Sequence, residues 1–454
     1  MSIQLSYPQH ARAVLVLGVP LIGSHLAQMA LHVTATIMLG WYSIEALAAA
    51  VLGATSFFVM FILGAGFAQA VMPMVAHAAA AGHDTEVRRA TRMGLWLSVL
   101  YGLLALPVMW FSGAILRAAG QDPAVAELAQ DFLRIAGFGM FPALIIMVLK
   151  SYLAALERTQ VVLWVTVTGV VVNAAVNWAL IFGNWSAPEL GVRGAAIAAL
   201  VTQITTAAIL LAYAGWFKPL RRYALFQRFW RPDWQAFARV WRLGWPIGLT
   251  GLAESGLFAA ASIMMGWLGT RQLAAHGIAM EIAAVTFMIH LGLSNAATVR
   301  AGRAYGQGDT EGLRRGALVA ISLSFLVAMI NVTLFLAVPQ TLIGLFLAAD
   351  DPERVAVLAI GTGLLAMAAL FQLADAMQVM ALGLLRGVQD TRVPMILALI
   401  SYWVIGMPAS YLIGFRLGYG GQGLWLGLTI GLVLAAGSLM WRFWRGTARR
   451  MALA

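Results

Sequence analysis

The sequence predicts an all-α integral membrane protein, with twelve transmembrane helices in two parallel six-helix bundles related by a pseudo-twofold along the membrane normal. Three observations predict it. Of the 454 residues, 61% are hydrophobic and only 10% charged, a balance that soluble domains of this length do not keep. The apolar residues fall into twelve runs of spanning length, each bounded by charged clusters. The first half of the chain also matches the second, without gaps, at a shift of 226 residues. The chain has no cysteine, which excludes a disulfide framework and thiolate metal sites. Its opening residues lead straight into a full-length apolar run, so no cleavable signal is expected.

A hydrocarbon core about 30 Å thick takes roughly 20 helical residues. Apolar windows of that size predict spans at 13–40, 46–76, 93–112, 130–153, 160–182, 194–216, 240–266, 272–299, 315–337, 355–384, 393–415 and 422–444. Basic residues gather on one side of these spans. That side holds Arg12, Arg88, Arg89, Arg92, Lys150, Arg158, the 218–242 cluster, Arg300, Arg303, Arg314, Arg315, Arg386, Arg392, Arg442, Arg445, Arg449 and Arg450. The other side has Arg117, Arg134, Arg193, Arg271, Arg354 and Arg416. Cytoplasmic loops carry the excess of Lys and Arg, so both termini are expected in the cytoplasm. The net charge of +11 is then a topology signal with an attraction to anionic lipid. Nucleic-acid binding is not expected.

The basic stretch 218–239 divides the chain into an N-terminal six-helix bundle (1–217) and a C-terminal one (240–454). Leu17, Gly18 and Pro20 recur as Leu243, Gly244 and Pro246, and Ile37, Met38, Gly40 and Trp41 as Ile263, Met264, Gly266 and Trp267. Six spans per half is an even number, so the halves enter the bilayer in the same sense. Such parallel repeats occur in secondary transporters, whose sites lie near the midplane. Prolines 20, 73, 107, 142, 246, 394 and 408 interrupt spans, as membrane helices tolerate.

Three acids sit deep in the second half. Glu254 lies twelve residues past Arg242, about 18 Å into a helix rising 1.5 Å per residue. Glu281 is ten residues from Arg271 and Asp375 eleven from Arg386. Ionisable groups at such depth are costly, and they mark ion or substrate pathways by default. Under the 226 shift the first half has Gln28 and Thr55 where the second has Glu254 and Glu281. The plainer reading is an acid that glues helices by a hydrogen bond, and it carries most weight for Glu281, whose face also bears Asn295. Gln372 and Gln378 flank Asp375 on one helical face, a surface able to solvate an ion. The carboxyls could carry a proton in one stage of a cycle or hold a partly dehydrated Na⁺. His25, Gln28, His32 and Thr36 form a polar stripe in span one, and Asn173 and Asn177 an i, i+4 pair in span five. Polar residues of this kind are more often packing hydrogen bonders than ligands, although a stripe of four suits a wet cavity. His290 in span eight could titrate. Methionine and tryptophan are abundant enough to line a pliable, aromatic pocket for flat lipophilic cations.

With these residues in place, the chain resembles the multidrug and toxic compound extrusion (MATE) transporters, in particular their NorM-type branch, over essentially its whole length. The family's functional glutamate in span seven matches Glu254 in LGWPIGLTGLAES, and its functional aspartate in span ten matches Asp375 in LFQLADAMQVMALGLLRG. PMVAHAAAAG (73–82) is similar to the family's span-two ending and GLLRGVQDTRVP (383–394) to its loop after span ten; Asn173 and Asn177 match the asparagines of span five. The chain departs from the pattern in three places. The family's first-span aspartate falls at Ala35, a span-six threonine at Ala199, and the span-eight tyrosine of the branch at Phe287, while Glu281 is an added acid.

The resemblance implies a bacterial inner-membrane secondary antiporter, not an enzyme, that exports amphipathic organic cations in exchange for H⁺ or Na⁺ by alternating access. Glu254 and Asp375 would bind the coupling ion with Glu281 assisting; the loss of the first-span aspartate favours H⁺. No cofactor is expected, and no metal beyond a Na⁺ at Glu254 and Asp375. The expected partners are small lipophilic cations and the bilayer, and the expected state is a monomer. The alternatives are export of an endogenous metabolite or flipping of a lipid-linked precursor. A flippase for anionic headgroups should have mid-membrane arginines, where this chain has acids. An intramembrane aspartyl protease lacks its GxGD-like segment here, and a non-transporting scaffold has no use for three buried acids.

Overall fold

The structure, a computed structural model, describes residues 5–347 and 352–448; Arg449 and Arg450 lie outside the described residues. Among the described residues every regular element is helical, and twelve helices are long and apolar enough to cross a membrane. They are α1 (Tyr7–Tyr42), α2 (Glu45–Ala80), α3 (Asp84–Trp110), α4 (Pro123–Ala155), α5 (Thr159–Phe182), α6 (Gly191–Trp216), α7 (Trp234–Trp267), α8 (Thr270–Gly306), α9 (Thr310–Ala337), α10 (Arg354–Gly387), α11 (Arg392–Arg416) and α12 (Gly420–Gly446).

Eleven predicted spans lie inside these helices, and the third runs two residues past Trp110, where Phe111 caps α3 and a separate short helix, Ser112–Ala118, begins. Some helices outrun the apolar windows because a polar cap precedes the apolar run. Exposed backbone N–H groups at a helix start favour acidic and capping side chains. Asp122 accepts from the backbone N–H of Ala124 (2.9 Å) and Val125 (3.3 Å) ahead of α4. Asp309 does the same for Gly312 (2.8 Å) ahead of α9.

The chain packs into two compact units, Gly23–Gly248 on the one hand and Met1–Ile22 with Leu249–Ala454 on the other. These edges differ from the halves 1–217 and 240–454 read from the repeat. The opening turns of α1 belong with the second half's helices, and those of α7 with the first half's. Close backbone approach explains the exchange, since glycine lets membrane helices touch. In the first unit, a methyl group added at Gly248 would lie 2.6 Å from the Leu63 carbonyl oxygen, and one at Gly244 2.6 Å from Phe67 Cα. In the second, a methyl at Gly292 would meet the Ile22 backbone at 2.7 Å.

The basic stretch 218–239 is docked on α3 rather than loose. It opens with a 3₁₀ turn, Lys218–Tyr223. Arg89 of α3 then grips both carboxylate oxygens of Asp233 and reaches Gln235 (3.1 Å). Arg92 donates to the Arg228 carbonyl (3.1 Å) and Trp96 Nε1 to the Phe229 carbonyl (2.9 Å). Asp233 also caps α7, accepting from the Ala236 N–H (3.0 Å). The Arg89 guanidinium holds the Asp233 carboxyl below the usual carboxylate range, at about 2. A carboxyl depressed in this way stabilises the fold above its unfolded value, and the contribution is lost as pH falls through the folded value. The unfolding temperature of the wild type should therefore drop more steeply between about pH 4 and pH 2 than that of Asp233→Asn. Parallel curves for the two proteins would contradict this role.

Candidate cation site

Within the second unit, α10 is set against α8 by small residues and hydroxyls. Gly383 and Gly387, the ends of GLLRG, face Ser294 and Thr298 so closely that a methyl at Gly387 would lie 2.8 Å from the Thr298 carbonyl oxygen. Ser294 Oγ donates to the Val379 carbonyl (2.7 Å) and Thr298 Oγ1 to that of Gly383 (2.9 Å). About two turns further along the seam, Gln372 Nε2 donates to the Ala283 carbonyl (3.2 Å) and to Thr286 Oγ1. These ties fix the rotation and height of α10, and with them Asp375.

Helix α7 is held to α10 and α11 on either side of Glu254. Trp403 Nε1 of α11 donates to the carbonyl of Ala253 (3.1 Å), the residue before Glu254, and its ring packs on Gly256. Phe258, one turn after Glu254, meets Phe371, one turn before Asp375, edge to face with ring centroids 5.9 Å apart. The two acids therefore stand at matching height on facing helices. A relay of aromatic contacts continues through Trp425 of α12, 5.4 Å from Phe371, to His276 of α8. Trp425 Nε1 donates to His276 Nδ1 (3.1 Å), so the ring carries its hydrogen on Nε2, directed at Ser262 Oγ (3.1 Å).

Glu254 interacts electrostatically with both Asp375 and Arg386, and Tyr402 with all three. Asp375 is 2% exposed, and Gln372, Gln378 and Tyr402 are fully buried. Gln378 Nε2 donates to the Tyr402 hydroxyl oxygen, which leaves the tyrosine hydrogen free to point elsewhere. Tyr402 lies in a widened, π-helical stretch of α11, Ile400–Gly406, a departure often met at functional sites. Four buried oxygens, Glu254 Oε1, Gln372 Oε1, Asp375 Oδ1 and Gln378 Oε1, face no hydrogen-bond donor among the described residues. Buried acceptors are almost always satisfied. Two carboxyls, a guanidinium within electrostatic reach of Glu254 and four oxygens without donors thus form one buried polar group.

The other residues singled out in the sequence lie apart from this group. Glu281 is exposed on α8 and shares no hydrogen bond or ion pair with the pair of acids. His290 is buried between Ser324 (3.0 Å) and Asn331 (3.5 Å) of α9, and Phe287 is half-buried. In the first unit, Asn173 donates to Thr202 Oγ1 (3.2 Å) and Asn177 to Asn173 Oδ1 (2.8 Å), so the asparagines tie α5 to α6. Gln28 and His32 are exposed, and Thr36 bonds back to the His32 carbonyl (3.0 Å). His25 is half-buried and within electrostatic reach of Lys150. Sequence reasoning missed Tyr402, Trp403 and His276, and used Arg386 only as a mark of the membrane edge. One signal pointed to Arg386: eleven residues at 100° each bring it back to within 20° of the face of Asp375.

The fold and this site define a multi-pass membrane protein with the architecture of a MATE transporter. The MatE family model matches residues 20–179 and 246–412, and the chain belongs to the MATE family, in its NorM-type branch. It is 48% identical over 440 residues to a probable multidrug resistance protein NorM of Rhizobium meliloti (strain 1021), covering 97% of this chain and 94% of that protein. A protein of the same name from Agrobacterium fabrum is 46% identical, covering 96% and 94%. Among solved structures, the crystal structure of a eukaryotic MATE transporter superposes with a TM-score of 0.88 at 19% identity, covering 98% of each chain. An outward-facing multidrug resistance MATE transporter also reaches 0.88, at 21% identity. The expected family and twelve-span fold are borne out.

The Gln378–Tyr402 contact yields a direct check. Tyr402→Phe removes the only acceptor of the Gln378 amide among the described residues, and orphaning a buried donor costs about 1–3 kcal/mol. Unfolding in detergent should shift accordingly, whereas an unchanged unfolding midpoint would refute the bond's place in the fold.

Proposed function

We propose that this chain is a secondary multidrug efflux antiporter of a bacterial inner membrane, exporting amphipathic organic cations by alternating access in exchange for H⁺ or Na⁺. The observation that carries this reading is the unbalanced charge around Glu254 and Asp375. Asp375 and Arg386 both lie within electrostatic reach of Glu254, and buried oxygens of the group are left without donors among the described residues. An uncompensated charge at that depth is costly, so the pair holds a small cation at rest and exchanges it for a cargo of like charge. H⁺ is the favoured ion, since the described residues place only two acids in the group. The naming of the NorM relatives as probable multidrug resistance proteins supports the cargo class. One elementary charge moving through 100 mV is worth about 2.3 kcal/mol, enough to drive an uphill exchange. The basic bias of the loops supports cytoplasmic termini, and the reading requires only a monomer. Glu281 is exposed and shares no hydrogen bond or ion pair among the described residues, so its part is an assisting one.

Ethidium efflux from proteoliposomes under separately imposed H⁺ and Na⁺ gradients tests the reading. Glu254→Gln and Asp375→Asn should each slow gradient-driven efflux more than about tenfold, the scale of a lost coupling free energy. Efflux should follow the H⁺ gradient alone. Wild-type rates in both variants would reject the coupling role.

A further inference from the structure

The first unit buries a cation where the second buries acids. Lys150 of α4 was grouped above with the loop charges of the terminal side, yet it is only 9% exposed and its Nζ lies 3.4 Å from Ser24 Oγ. Ser24 is seventeen residues past Tyr7 and eighteen short of Tyr42, at the middle of α1. The hydrogen-bond directions are determined. Thr166 Oγ1 of α5 gives its hydrogen to the Val162 carbonyl (2.7 Å), so in its contact with Ser24 (3.0 Å) the serine donates. Ser24 Oγ is then left to accept from the ammonium. Ser24 and Thr166 are 3% and 4% exposed, and His25, the next residue on α1, lies within electrostatic reach of Lys150.

An ammonium has three N–H donors. Among the described residues Ser24 is the one acceptor for Lys150, at a long distance, and no carboxylate pairs with it. Every carboxylate of the Gly23–Gly248 unit lies in a loop or within the first three turns of a helix. In the second unit Arg386 has Glu254 as its counter-charge; Lys150 has no such partner in its own unit. A buried charge left alone is strongly unfavourable, so the missing partner is to be sought in solution. We propose that Lys150, with Ser24 and His25, forms a binding site for a small monovalent anion, either a halide or the carboxylate of a cargo. The site stands independently of the export reading; only its carboxylate arm rests on that reading, and it would widen the cargo class to organic cations that also bear a carboxylate.

The full-length protein and two variants at Lys150 decide this. At constant ionic strength, sodium chloride or sodium acetate replaces the sodium salt of the bulky sulfonate MES, and the unfolding temperature is followed. Wild type should show a saturable rise, as expected for a ligand that binds only the folded state. Lys150→Met should abolish the rise and Lys150→Arg keep part of it. In proteoliposomes, rhodamine 110, which has a free carboxylate, is compared with its methyl ester rhodamine 123. Wild type should favour the carboxylate dye at least about fivefold, and Lys150→Met should remove the preference. An anion-dependent rise with no preference between dyes assigns the site to a halide; a preference between dyes assigns it to a cargo carboxylate. Neither effect in wild type overturns the proposal. If neither dye is moved, export fails while the thermal measurement still decides the anion site.

Discussion

The structure of the second unit depends on an electrostatic constraint: more negative than positive charge is held where water is scarce. Glu254 lies within electrostatic reach of both Asp375 and the guanidinium of Arg386, and Asp375 within reach of Glu254. At an effective dielectric of about 20, two unit charges 4 Å apart interact by about 4 kcal/mol, too much for such a group to stay uncompensated. The proposed exchange rests on this constraint: a group that is stabilised by one added cation would release it when another takes its place.

The surrounding packing keeps that constraint tight. Glycines 383 and 387 let α10 touch α8, and the hydroxyls of Ser294 and Thr298 convert the touch into directional bonds. Trp403 pins α7 immediately before Glu254, and the Phe258–Phe371–Trp425–His276 relay closes the side one turn away. Packing of this kind fixes the elements that carry the two carboxyls, which is what a preorganised site requires. The GLLRG segment, read from the sequence as a family signature, is therefore also a packing element.

Much of this was legible before any coordinates. The twelve spans followed from apolar length, and Glu254 and Asp375 from the cost of charge at depth, because both signals are local in sequence. The helix ends were less legible, since capping acids such as Asp122 and Asp309 serve the exposed N–H groups and not the bilayer. The exchange of opening turns between units could not be read from the repeat, which records common ancestry of the halves rather than contact. Tyr402 and Trp403 came into the site through tertiary pairing that has no short-range pattern. Lys150 misled for a different reason. A lysine five residues before the end of a spanning helix reads as a loop charge, but its long side chain turns inward to Ser24.

The central claim is that an organic cation and a small ion contend for one unit of negative charge at Glu254 and Asp375. Calorimetric titration of the full-length protein with ethidium in sodium-free buffers of differing ionisation enthalpy counts the protons released on binding. The account predicts close to one proton per dye for wild type, as charge balance requires, and none for the Glu254→Gln, Asp375→Asn double variant. Binding without proton release in wild type, or equal release in both proteins, would contradict it.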